Sequence, residues 1–179
     1  MTQELDAVVV KDRIDAGGLD TYYEIHGAGE PLLYLHGGFN PIEMLGDIIP
    51  ALAGQYRLYL PERQGQGRTP DRDGPVTFAS MAQDTIAFLE AVGLTGAHLV
   101  GFSDGAMVAL LVALERPDLV RRLVLLPGAD GEVHARDLPA DVPPDVRHAL
   151  PGRAGALPGV LREAAAELAV PGRPAQPAR

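Results

Sequence analysis

The sequence predicts an α/β fold, a mostly parallel sheet with flanking helices, on three observations. Short apolar runs of strand character alternate with stretches of helical period, the arrangement that joins parallel strands through crossover helices. One of those runs passes through a glycine-flanked turn straight into an apolar helix. The 179 residues, 46% of them apolar, suffice to bury one core of ordinary size.

Val8 to Ile14 and Leu19 to His26 read as two strands joined by a turn at Gly17-Gly18, an antiparallel start to the sheet. Leu32 to Leu35 is a buried strand. Pro41 to Ala53 reads as a short helix or helical loop, interrupted by Pro50 and closed by Gly54, and Tyr56 to Leu60 as the next strand. From Thr77, a good N-cap, Phe78, Met81, Ala82, Thr85, Phe88, Leu89 and Val92 keep a 3.6-residue period until Gly93 stops it. His98 to Phe102 is a strand, Asp104 to Glu115 a nearly all-apolar helix ended by Pro117, and Leu119 to Leu126 a further strand. A helix so uniformly apolar has to lie inside the protein.

Composition divides the sequence into residues 1–130, the sheet-forming part, and residues 131–179, rich in Pro and Ala and without any aromatic residue. In the second part only Leu157 to Val170 has a helical stripe, and the tail from Pro171 reads as disordered. The formal charge is −9, and Lys11 is the only lysine. That balance gives no basic face for nucleic acid or an anionic membrane, and leaves no candidate for a phosphate-cradling Gly-Lys-Ser/Thr loop or a Schiff-base lysine. The absence of cysteine excludes disulfides, thiolate zinc sites and Cys nucleophiles. An acidic N-terminus with no apolar signal segment after it predicts a cytoplasmic protein. The longest apolar run, Ala106 to Leu114, is too short to span a bilayer.

Two motifs carry chemistry. The strand His98 to Phe102 runs into Gly101-Phe102-Ser103-Asp104-Gly105, a G-x-S-x-G sequence in strand-turn-helix context. A turn that sharp gives Ser103 strained backbone angles and an outward hydroxyl, and the flanking glycines avoid collision with neighbouring backbone. Upstream, the strand Leu32 to Leu35 ends in His36-Gly37-Gly38-Phe39-Asn40. Acyl transfer through a tetrahedral intermediate needs backbone N–H donors at the developing oxyanion, for which Gly38 or Phe39 is one source and Asp104 the other.

With these motifs roughly residues 20 to 130 resemble the α/β-hydrolase fold family, in its esterase, lactonase and cofactor-free haloperoxidase-like branch. A third motif, Pro61-Glu62-Arg63-Gln64-Gly65-Gln66-Gly67-Arg68-Thr69, resembles that family's Asp-x-x-Gly-x-Gly-x-Ser loop, with Glu62 where aspartate is usual. The resemblance implies Ser103 as nucleophile, His36 as a loop-organising residue beside the oxyanion hole, and no metal or organic cofactor. Gly-Phe-Ser-Asp-Gly is also similar to the Gly-Trp-Ser-Asp-Gly of members that favour amino-acid esters. Asp104 then either attracts a substrate ammonium group or hydrogen-bonds the helix N-terminus or a nearby loop.

The family order is Ser, then Asp or Glu, then His. After Ser103 the histidines are His134 and His148, and Asp130 stands where some members carry the acid after their sixth strand. His26 and His98 fall in strands and read as structural. No strand-like run follows Leu126, so the resemblance implies the first six strands of the core, with the last two missing and the sequence truncated at its C-terminus or frameshifted. Leu123 to Leu126 would then form an apolar sheet edge open to a second copy unless residues 131–179 cover it. The expectation is a serine hydrolase cleaving a small carboxylic ester, lactone or amide through an acyl-enzyme on Ser103. The alternative is a fragment or pseudo-enzyme of the same fold lacking a working acid and histidine.

Overall fold

The computed structural model describes residues 9–126. In sequence order they form strands β1 (Val10–Ala16), β2 (Leu19–His26) and β3 (Glu30–Leu35), a 3-10 turn at Ile42–Leu45, helix α1 (Ile48–Ala53), strand β4 (Tyr56–Pro61), helix α2 (Phe78–Ala91), strand β5 (Ala97–Phe102), helix α3 (Asp104–Glu115), a 3-10 turn at Pro117–Leu119 and strand β6 (Val120–Leu126). The expected boundary near Asp130 and the segment 131–179 lie outside the described residues.

The six strands make one sheet in the order β1-β2-β4-β3-β5-β6. β1 pairs antiparallel with β2, and β2 antiparallel with β4, whereas β4, β3, β5 and β6 run parallel to one another. The β1–β2 hairpin closes on Gly17 and Gly18, both at positive φ (65° and 86°), the two-residue geometry that matches strand twist.

β3 lies centrally, and consecutive residues of it are buried because both faces of the sheet are covered. Leu33 and Leu35 point with Leu99 toward α2 and α3, packing on Met81, Ile86, Leu89, Val108 and Val112. Leu32, Tyr34, Leu58, Leu60 and Val100 meet Ile42, Leu45 and Leu52 on the opposite face. α3 contacts β3, β5 and β6 as well as α2, the internal position its uniform apolarity requires. β6 is the outermost strand at one edge among the described residues. No helix among them is long and apolar enough to cross a membrane.

One local reading is corrected. Pro50 does not interrupt a helix but sits in the first turn of α1, after the N-cap Asp47, where no backbone donor is needed. The break falls instead at Gly46, whose φ of 41° separates the 3-10 turn from α1.

The topology places the site. β3 is flanked by β4 on one side and β5 on the other, so the strand order reverses there, and Leu35 pairs with Gly101. The carboxyl ends of β3 and β5 therefore lie side by side, at the crevice where open parallel sheets hold ligands.

Helix α2 begins in a capping box: the Ser80 N–H donates to the Thr77 hydroxyl at 3.0 Å, and the Thr77 N–H donates to the Ser80 hydroxyl at 2.9 Å. Thr77→Ala is expected to lower stability by about 1 kcal/mol. Urea unfolding should show a lower midpoint at unchanged slope.

Candidate active site

Between β5 and α3 the backbone reverses at a single residue, Ser103, with φ 53° and ψ −118°. A non-glycine residue at such angles costs on the order of 1–3 kcal/mol and persists only where its surroundings hold it. Here the Ser103 N–H donates to the Leu126 carbonyl at 2.9 Å, and its carbonyl accepts from the Ala106 N–H at 2.8 Å. The flanking glycines are required by contact. A Cβ on Gly101 would lie 2.6 Å from the Gly105 carbonyl carbon and 2.7 Å from the Ala106 Cα, and one on Gly105 would lie 2.7 Å from the His36 oxygen and collide with Leu35. The amino end of α3 is thus pressed directly onto the carboxyl end of β3.

The loop leaving β3 lies over that turn. A Cβ on Gly37 would meet the Phe102 ring at 3.1 Å and the Ser103 Cβ at 3.3 Å, and one on Gly38 would lie 2.5 Å from the Asp104 Oδ2. Phe39, 94% exposed, has φ 57°, and it and Ser103 are the non-glycine residues of positive φ among the described residues. Both strained positions fall on facing loops. Among the described residues, no acceptor engages the N–H groups of Gly38, Phe39 or Asp104.

Buried polar groups hold the loop from beneath. His36 is 1% exposed, with Nδ1 2.7 Å from the Gly37 carbonyl and Nε2 accepting from the Arg63 N–H at 3.4 Å. This bonding fixes the tautomer with hydrogen on Nδ1. Burial, and then the Arg63 charge, push its pKa down to about 4 despite the hydrogen bond to Gly37, so the ring is neutral at pH 7. With both nitrogens occupied, it suits a loop-organising role and not that of a base. Arg63 reaches the same residue through its guanidinium, donating from Nη2 to the His36 carbonyl at 2.8 Å.

Glu62, fully buried, receives the Arg68 backbone N–H and guanidinium and the Ile42 N–H. Arg68 also pairs with Glu43 and lies 3.9 Å over the Tyr22 ring. The longer Glu62 thus serves where aspartate is usual, and its carboxylate packs so closely on Gly67 that a Cβ there would collide with it.

Ser103, Gly38, Phe39 and Asp104 are brought to one place, while Asp130, His134 and His148 lie outside the described residues. The half-buried Asp104 carboxylate hydrogen-bonds neither the helix N-terminus nor a loop among the described residues. His26 and His98 sit in strands with carboxylate partners, Glu24 and Glu30, each at 2.8 Å. Sequence reasoning missed Arg63. The only signal for it was its place two residues after the end of a buried strand, and nothing in composition marks an arginine there as internal. No group of three or more His, Asp or Glu among the described residues is placed to hold a metal ion.

The family model described as the alpha/beta hydrolase fold matches residues 30–178. The "Putative carbamate hydrolase RutD" of Azorhizobium caulinodans is 36% identical over 118 residues, which cover 64% of this protein and 44% of that one. The pyrrolizixenacetamide deacetylase of Xenorhabdus hominickii is 33% identical over 116 residues, with the same coverages. Among solved structures, the meta-cleavage product hydrolase of Pseudomonas fluorescens IP01 in complex with acetates superposes with a TM-score of 0.60 at 30% identity, covering 66% of this protein and 45% of that one. The matched region therefore spans less than half the length of these relatives.

The depressed His36 pKa makes an acid-side prediction. Unfolded, the ring takes up a proton near pH 6.5, whereas folded it does so only near 4. Its contribution is complete above pH 6.5 and is lost as pH falls toward 4, about 3 kcal/mol across that window. Urea unfolding at stepped pH should show this decline in the wild type and a flatter profile in His36→Asn.

Proposed function

The chain belongs to the α/β-hydrolase fold family, and from that premise we propose that it is a serine hydrolase acting on a small carboxylic ester, lactone or amide. The observation that carries the reading is the strained Ser103 turn lying against a Gly-Gly loop, with three backbone N–H groups left without acceptors among the described residues. In the proposed reaction the Ser103 Oγ attacks the acyl carbon, and its proton passes to a histidine, His134 or His148, oriented by Asp130. The carbonyl oxygen becomes an oxyanion received by the N–H of Asp104 and that of Gly38 or Phe39. Collapse of the tetrahedral species breaks the bond to the leaving alcohol or amine, which takes the proton. Water then releases the acid from Ser103 by the same steps in reverse.

The relatives support cleavage at an acyl carbon: one is named for a carbamate and another for removal of an acetyl group. The Asp104 carboxylate, half-buried beside the nucleophile and without a hydrogen bond among the described residues, favours substrates with an ammonium group near the acyl carbon.

Purified protein should turn over a short p-nitrophenyl ester and take a fluorophosphonate label on Ser103. Ser103→Ala should abolish the label and lower kcat by about 10³-fold or more. Equal, slow turnover by wild type and variant, with no label in either, would sink the proposal. Asp104→Asn should raise KM about tenfold for an amino-acid ester and leave the uncharged ester within about twofold.

A further inference from the structure

Arg63 is an expensive residue to place where it is. It is 5% exposed and forms no ion pair among the described residues. Among the described residues its Nη1 reaches only the Met81 sulfur, at 3.4 Å, and its Nε has no partner. Burying a charge without a direct counter-ion costs several kcal/mol, and an apolar residue would fill the same space without that cost. Burial pulls its pKa down to about 10, with the Asp104 charge acting in the opposite sense, so it remains a cation at neutral pH.

Its one strong hydrogen bond goes to the His36 carbonyl. That oxygen is one of the atoms a Cβ on Gly105 would meet, at 2.7 Å, with the Leu35 carbonyl closer still, so the start of α3 lies directly against the beginning of the 36–39 loop. A second consideration is electrostatic. The residue after the nucleophile is an aspartate whose carboxylate packs on Gly38, and a negative charge there opposes an oxyanion forming nearby. The buried Arg63 cation and the Asp104 carboxylate attract one another, which offsets part of this opposition.

We propose that Arg63 is a positioning residue for acyl transfer: it fixes the 36–39 loop against the Ser103 turn and offsets part of the Asp104 charge where the oxyanion develops. This rests on the serine-hydrolase reading of the site. The role belongs to the transition state, since neither the loop spacing nor the offset charge is needed to hold an uncharged ester.

The test compares kcat and KM for p-nitrophenyl acetate in wild type, Ser103→Ala, Arg63→Met, Arg63→Lys and Asp104→Asn, and in Arg63→Met combined with Asp104→Asn, each below its own melting temperature. Arg63→Met is expected to lower kcat about 30- to 100-fold with KM within about threefold, and Arg63→Lys, which keeps a charge and a donor, to recover about tenfold of it. In the Asp104→Asn background the Arg63→Met loss should shrink to less than about tenfold. Should Arg63→Met not fold, Arg63→Gln takes its place, with the same separation from Arg63→Lys expected. The proposal is overturned if kcat stays within about threefold, if Lys rescues no better than Met or Gln, or if the loss is the same with and without Asp104. A wild type with no Ser103-dependent turnover overturns the serine-hydrolase reading and this inference with it. Ser103-dependent turnover indifferent to Arg63 overturns this inference alone.

Discussion

Much of the structure depends on one contact: the backbone of α3 at Gly105 touching the end of β3 at Leu35 and the next residue, His36. No side-chain atom separates them. That contact is possible only because Gly101 and Gly105 carry no Cβ, and it forces the backbone to turn at Ser103 with a positive φ. The helix pressed onto the sheet is correspondingly apolar, with Ala106, Val108, Ala109 and Val112 at or near zero exposure. The nucleophile candidate is therefore strained as a direct result of core packing, and the core in turn holds the strain.

Around that contact the polar groups are arranged in depth. Glu62 and Arg68 hold the loop after β4, Arg63 and the neutral His36 hold the loop after β3, and the N–H groups nearest Ser103 are left without acceptors among the described residues. Two opposite burial problems are solved differently. Glu62 is satisfied by a paired guanidinium and backbone donors, whereas Arg63 is only partly satisfied. Incomplete satisfaction of a buried charge beside a crevice is a mark of sites where function outweighs stability.

Membership of the α/β-hydrolase fold family accounts for the strand order and for relatives that are hydrolases. In this protein an aspartate follows the serine directly and a buried arginine lies behind the facing loop. Arg63 follows β4 and Asp104 opens α3 just after β5, so both charges stand at the carboxyl ends of strands that the sheet orders.

The sequence by itself determined the alternation of strands and helices, the Gly17-Gly18 hairpin, the Thr77 cap and the two glycine-rich junctions, because each is a local pattern of hydrophobic period or backbone freedom. The sharp turn at Ser103 was legible as backbone geometry for the same reason. Asp130, His134 and His148 were named by their order along the sequence alone and stand outside the described residues. The position of Pro50 was misread because a proline in the first turn and one in the interior look alike until the N-cap is placed. Only the tertiary structure decided that Gly38 packs on Asp104, that His36 is neutral and that Arg63 is buried beneath the loop. Those facts depend on which strands become neighbours, and burial and electrostatics are properties of that long-range arrangement, which no local pattern contains.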